Sequence, residues 1–241
     1  MNHTVHGIMT TIVYNLQAVR TAIAKAAVCA GRSSDEVTLL AVSKTFSHDT
    51  IREAYLAGQT NFAENYVQEA IEKISALHDL PLKWHFIGPI QSNKTRIIAE
   101  SFSWVHSIDR LKVAERLSEQ RPKNLPALQV CLQVNVSGEE SKSGISPEKV
   151  DELAIAIANF PHIRLRGLMT IPAPSKGVIL QHQPFTQLKE ILEQLNNQGL
   201  NLDTLSMGMS HDFTAAISEG ATMVRIGTAI FGNRHYGENN S

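Results

Sequence analysis

The sequence predicts a single (β/α)8 TIM barrel with an extra N-terminal helix, and three observations carry that expectation. Short apolar runs recur roughly every 20 to 35 residues with amphipathic segments between them, the alternation of strand and helix units. Eight such runs fit into 241 residues, and several are near-continuous in apolar residues, as parallel strands covered on both faces require. The open doubly wound sheet is the alternative, but the chain lacks a G-x-G-x-x-G turn and any Pro/Gly/Ser-rich linker.

A helix comes first. Ile12, Leu16, Val19, Ile23, Ala26, Ala27 and Ala30 keep one helical stripe that stops at Gly31. Residues 1–10 are expected as a flexible N-terminus, 11–232 as the barrel and 233–241 as a C-terminal tail. The apolar run Val37 to Ser43 is strand one, followed by a helix over Asp49 to Ala57, and Thr60 to Ala63 is strand two, followed by Val67 to Leu77. Strand three is Trp84 to Ile87 with a helix over Ser92 to Ala99, and strand four is Trp104 to Ser107 with a helix over Arg110 to Gln120. Strand five is Ala127 to Val134. The next helix, Glu148 to Phe160, has a sequence start at Ser146-Pro147 and a stop at Pro161. Ile163 to Met169 is strand six, with a helix over Pro184 to Asn197; Leu202 to Ser206 is strand seven, with a short helix over His211 to Ser218. Thr222 to Ile226 is strand eight. Too little chain follows it for a full crossover helix, so the N-terminal helix is expected to cover the gap between strands eight and one.

The net charge is -1, and basic pairs such as Arg164/Arg166 and Lys94/Arg96 are isolated, so the charge pattern favours neither nucleic acid nor an anionic membrane as partner. Cys29 and Cys131 lie far apart in apolar stretches, which predicts two buried thiols in a reducing compartment. Met1 to Thr10 lacks a continuous apolar core with a small-residue cleavage pattern, and no apolar run approaches the roughly 20 residues that span a bilayer. The expected location is cytoplasmic. No H-E-x-x-H, paired C-x-x-C, Walker loop or G-x-S-x-G occurs.

In such a barrel the chemistry gathers at the C-terminal ends of the strands. Lys44 follows strand one, where a lysine either turns into water or, once desolvated, becomes a Schiff-base former. Asn65 and Tyr66 follow strand two, His85 and Gly88 mark strand three, Ser107 strand four, Asn135 strand five, and Met169 to Pro172 strand six. Ser206-Met207-Gly208-Met209-Ser210 is read as the loop after strand seven, and Arg225-Ile226-Gly227-Thr228 closes strand eight. These two loops combine glycine, hydroxyl groups and an arginine where barrels commonly bind phosphate. An amine facing a phosphate cradle suggests a phosphorylated aldehyde. Pyridoxal 5'-phosphate and a sugar phosphate both fit, the latter implying a lysine-dependent aldolase. His85 is placed near the cleft, either touching the ligand or bonding neighbouring loops; Met169, Met207 and Met209 are read as walls. Glu64 and Asp212 are candidate acid–base residues, Asp212 also standing where it would cap a helix.

Several consecutive blocks then become recognisable: Ala41-Val42-Ser43-Lys44-Thr45, Asn61-Phe62-Ala63-Glu64-Asn65-Tyr66-Val67-Gln68-Glu69 and Trp84-His85-Phe86-Ile87-Gly88-Pro89-Ile90-Gln91-Ser92-Asn93-Lys94. Ser141-Lys142-Ser143-Gly144, Arg166-Gly167-Leu168-Met169, Leu205-Ser206-Met207-Gly208-Met209-Ser210 with Asp212, and Val224 to Gly232 agree with them. From Val37 to Gly232 the chain resembles the pyridoxal phosphate homeostasis protein family, also called the YggS or proline synthase co-transcribed family. The resemblance implies a monomeric barrel like the N-terminal domain of alanine racemase, with pyridoxal phosphate as an aldimine on Lys44. It also implies phosphate contacts at Ser210, Gly227 and Thr228, and Arg225 near the pyridine nitrogen. The expected cofactor-binding set is Lys44, Asn65, His85, Met207, Ser210, Arg225, Gly227 and Thr228, with no metal and no established catalytic residue. Two departures stand out: Ala63 where the family usually has glycine, and Phe46 where several members carry a second lysine.

The implied function is intracellular vitamin B6 homeostasis, with reversible storage of the cofactor and its supply to apo-enzymes. A racemase-like enzyme is the alternative, because an arginine at the ring also occurs in alanine racemase.

Overall fold

The computed structural model describes residues 3–138, 143–174 and 177–233, with side chains from Thr11 onward. Ser141 and Lys142 of the fourth family block, and the tail from residue 234, lie outside the described residues. Eight parallel strands close into a barrel in sequence order: β1 (Thr38–Val42), β2 (Asn61–Glu64), β3 (Lys83–Phe86), β4 (Trp104–Ile108), β5 (Leu128–Gln133), β6 (Ile163–Met169), β7 (Thr204–Met209) and β8 (Met223–Ile226). β8 returns to β1 with Leu40 opposite Arg225 and Ala41 opposite Ile226.

The connecting helices are α2 (His48–Leu56), α3 (Val67–Ala76), α4 (Thr95–Ser101), α5 (Leu111–Gln120), α6 (Val150–Ala158), α7 (Val178–Asn197) and α8 (Phe213–Ser218). A four-residue α9 (Thr228–Phe231) follows β8, and the long α1 (His3–Cys29) closes the ring as expected. Asn15 Nδ2 donates to Ile230 O at 2.9 Å, Arg32 to Ile217 O and Ala221 O at 2.9 Å each, and Arg20 to Ala57 O at 2.8 Å. α1 is thereby tied to α9, α8 and the end of α2. Gly31 ends it in the left-handed region, φ 69°, where a Cβ is unfavourable.

Three elements depart from the sequence reading. α1 begins at His3, ahead of Ile12, where the apolar stripe starts. α7 begins at Val178, so Pro184 lies inside the helix instead of opening it. β7 runs on to Met209, because Gly208 (φ 96°) absorbs a register shift against β8 between Ser206 and Met209. A Cβ on Gly208 would fall 2.7 Å from the Ala216 Cβ, so glycine also lets α8 pack close behind the strand.

Side-chain parity sorts the strands into two layers. Leu39, Ala41, Phe62, Phe86, Val105, Leu132, Leu168, Leu205, Met207, Val224 and Ile226 pack outward against the helices. Inside the barrel, Leu40, Ala63 and Ile87 pack with Val42 and Met223, and Trp104, Cys131 and Met169 pack with Met223. The Ala63 Cβ is accommodated in this inner cluster. Of the two thiols expected to be buried, Cys29 is exposed at the end of α1, and only Cys131 is enclosed, where burial pushes it up to about 12, so it stays protonated. Among the described residues no helix is long and apolar enough to cross a membrane.

Candidate functional site

A cavity of about 360 Å³ opens at the C-terminal mouth of the barrel, within the size range of small-molecule sites. Lys44 enters it from the end of β1, Asn65 from β2, Met209, Ser210 and His211 from β7, and Arg225, Gly227 and Thr228 from β8. The expected amine and the expected anion cradle therefore face one space. Val42, Ile87, Ile171 and Phe46 supply apolar wall, and Phe46 packs against Phe231 with ring centroids 5.0 Å apart. Phe46 thus braces α9 behind the expected cradle. Ser210 follows from the end of β7, which Asp212 secures by accepting the Met209 N–H at 2.6 Å. Asp212 occupies the N-cap of α8, but its carboxylate makes no cap bond to that helix.

The residues present fit pyridoxal phosphate by more than the lysine and the cradle. Asn65 lines the cavity, and its Oδ1 is buried without a hydrogen-bond partner among the described residues, a costly condition that a ligand donor would relieve. Gly88 allows this loop its position, since a Cβ there would lie 2.0 Å from Asn65 O. Arg225 is buried, which pushes its guanidinium down to about 10, with Asp212 opposing the shift. It remains charged at neutral pH.

Behind Lys44, on the helix side of β1 and β2, lies an ion-pair cluster that grips the two residues flanking the lysine. Lys73 on α3 donates to Ser43 O (2.7 Å), Glu64 Oε1 (2.8 Å) and Glu69 Oε1 (2.5 Å). Ser43 Oγ donates to Glu64 Oε1 at 2.6 Å, and Thr45 N to Glu69 Oε1 at 2.5 Å. Thr45 sits at φ 70°, a left-handed conformation that a β-branched residue adopts only when its surroundings enforce it. Burial raises the Glu64 carboxyl pKa, and Lys73 and Ser43 pull it back. Glu64 is therefore a bracing residue behind the strand, not an acid–base group lining the cavity.

Two expected cofactor contacts are corrected. Met207 is fully buried in the outer layer between β7 and the helices, because Ser206 beside it points into the barrel. His85 is fully buried too, and it does not line the cavity. It lies within the barrel, its Nδ1 2.9 Å from His106 Nε2 and its Nε2 3.0 Å from Asn61 Oδ1. His106 Nδ1 is 2.8 Å from Ser206 Oγ, which accepts from Arg225 Nη1 at 2.9 Å, and Arg225 Nη2 donates to Thr170 O at 2.8 Å. Sequence reading missed His106, Lys73 and Glu69 altogether. The signal for the last two was an i, i+4 acid–lysine pair on α3, a helix whose apolar face must meet β2.

Burial pushes His85 down to about 3 and His106 well below the ordinary histidine range, with the Lys83 and Arg225 charges adding to the effect. Each ring is held neutral in the fold and titrates near 6.5 when unfolded, so its contribution to stability is present above pH 6.5 and is lost as pH falls below it, for His85 toward about 3. Between pH 7 and pH 5, above the main carboxylate range, urea unfolding should show a loss of about 4 kcal/mol from the two rings together. A flat stability over that interval would mean that the rings are not held neutral.

Comparison with known proteins places the chain in a family. A curated pyridoxal phosphate homeostasis protein of Pseudomonas aeruginosa is 61% identical over 229 residues, covering 95% of this chain and 98% of its own length. The protein of that name from Escherichia coli is 53% identical over 231 residues, covering 95% and 99%. The solved structure of PipY from Synechococcus elongatus with PLP bound is 36% identical, has a TM-score of 0.81, and covers 92% of this chain and 100% of its own. The profile of the alanine racemase N-terminal domain matches residues 14–235. With that match over most of its length, the chain belongs to the alanine racemase N-terminal domain family, and its near relatives there are named as homeostasis proteins, not as enzymes.

Proposed function

We propose that this protein binds pyridoxal 5'-phosphate reversibly at the C-terminal mouth, attached through Lys44 Nζ, and so serves vitamin B6 homeostasis. The observation that carries the reading is the single cavity into which Lys44, Arg225 and the Ser210, Gly227 and Thr228 cradle all project. When bound, the cofactor supplies an aldehyde for the amine and an aromatic ring that can act as an electron sink. Ser210 and Thr228 present hydroxyl groups, and the backbone at Gly227 presents N–H, to its phosphate. Arg225, a donor-only cation, disfavours a proton on a ring nitrogen beside it, which weakens the electron sink and suits storage better than turnover. The PLP-bound PipY structure and the names of the close relatives support the reading. The full form of the proposal is a monomer that works in the cytoplasm and passes the cofactor to apo-enzymes.

The test is comparative titration. Pyridoxal without its phosphate should bind at least about a hundredfold more weakly than pyridoxal 5'-phosphate, since two or more charge-assisted bonds of about 1.5 to 3 kcal/mol each go unmade. Thr228→Ala should weaken only the phosphorylated ligand, by about tenfold. Equal affinity for the two aldehydes would remove the cradle and the reading with it.

A further inference from the structure

The buried chain Asn61–His85–His106–Ser206–Arg225 runs across a barrel interior that in this fold is ordinarily filled by branched apolar side chains. Its polarity follows from its two ends. Arg225 can only donate, so Ser206 Oγ accepts from it and has its own proton to give, which goes to His106 Nδ1. A neutral His106 then carries its proton on Nε2 and donates to His85 Nδ1, and a neutral His85 donates from Nε2 to Asn61 Oδ1. The opposite polarity would leave the Ser206 proton without an acceptor in the chain. Every donor thus points away from the cavity, and the acceptor that fixes Arg225 Nη1 is itself held by two histidines in a row. Thr170 O fixes Nη2.

We propose that His106, backed by His85, is a positioning residue for Arg225, holding the guanidinium so that its remaining N–H groups meet the unprotonated ring nitrogen of the cofactor. This rests on the binding reading above. The discriminating ligand is the 1-deaza analogue of pyridoxal 5'-phosphate, which keeps aldehyde and phosphate but has C–H in place of the ring nitrogen. Wild-type protein should bind the parent at least about tenfold more tightly than the analogue. In His106→Phe and in Ser206→Ala that preference should fall to about twofold or less, with affinity for the analogue unchanged. Should His106→Phe fail to fold by circular dichroism, Ser206→Ala, which deletes one hydroxyl, carries the test. If the wild type shows no preference, the placement of Arg225 at the ring nitrogen fails, and the inference with it. If the wild type discriminates and the variants discriminate equally well, or lose affinity for both ligands in parallel, His106 is structural only and the inference alone is overturned.

Discussion

Lys44→Ala should abolish the visible absorption of lysine-bound pyridoxal phosphate while leaving the barrel folded. Lys44 is half-buried at the cavity mouth, beyond the last residue of β1, and is absent from both the inner and the outer apolar clusters. Its truncation should change unfolding free energy by less than about 1 kcal/mol. The spectral effect, by contrast, should be complete, because no other lysine lines the cavity among the described residues. An unaltered spectrum in the variant would place the covalent link on another lysine.

Lys73→Met should be the most destabilising single change in the neighbourhood of the site. It strands the Glu64 carboxylate, whose side chain is fully buried, and removes the donor that Ser43 O and Glu69 share. Breaking one partner out of a buried pair typically costs about 3 to 5 kcal/mol, whereas replacing both partners is often near neutral. Lys73→Met/Glu64→Gln should accordingly recover more than half of the stability lost. Covalent occupancy should not recover with it, because Ser43 O still lacks its Lys73 donor and Glu69, which accepts from Thr45 N, has lost the cation that holds it in place. Urea unfolding reads the first effect and borohydride-trapped cofactor the second. A single variant as stable as wild type would show that the cluster does not brace the Lys44 turn.

The barrel and the residues that line the cavity were legible because each strand announces itself as an apolar run and the mouth residues are those that follow it. Lys44 after Val42-Ser43, and Gly227-Thr228 after Ile226, are of this kind. His85 and Met207 were misplaced because proximity to a strand end was read without side-chain parity. Trp84 and Phe86 flank His85 and face the helices, so His85 must point into the barrel, one position short of the strand's end. Met207 fails by the same rule in the other direction. Lys73 was illegible for a different reason: a lysine on an amphipathic helix reads as solvent-facing, and only the buried carboxylate of β2 opposite makes it a core residue. Pro184 misled because proline favours the first helical turn, whereas here the helix begins earlier, at Val178, directly after Gly177 with φ 114°.

The most direct test of the account is to load the purified wild-type chain with pyridoxal 5'-phosphate, reduce with borohydride, and map the modified peptide by mass spectrometry. The account predicts a stable phosphopyridoxyl group on Lys44, with other lysines labelled only in proportion to excess aldehyde. A chain that carries no such group after reduction, or one that carries it stoichiometrically on a different lysine with Lys44 untouched, would contradict it.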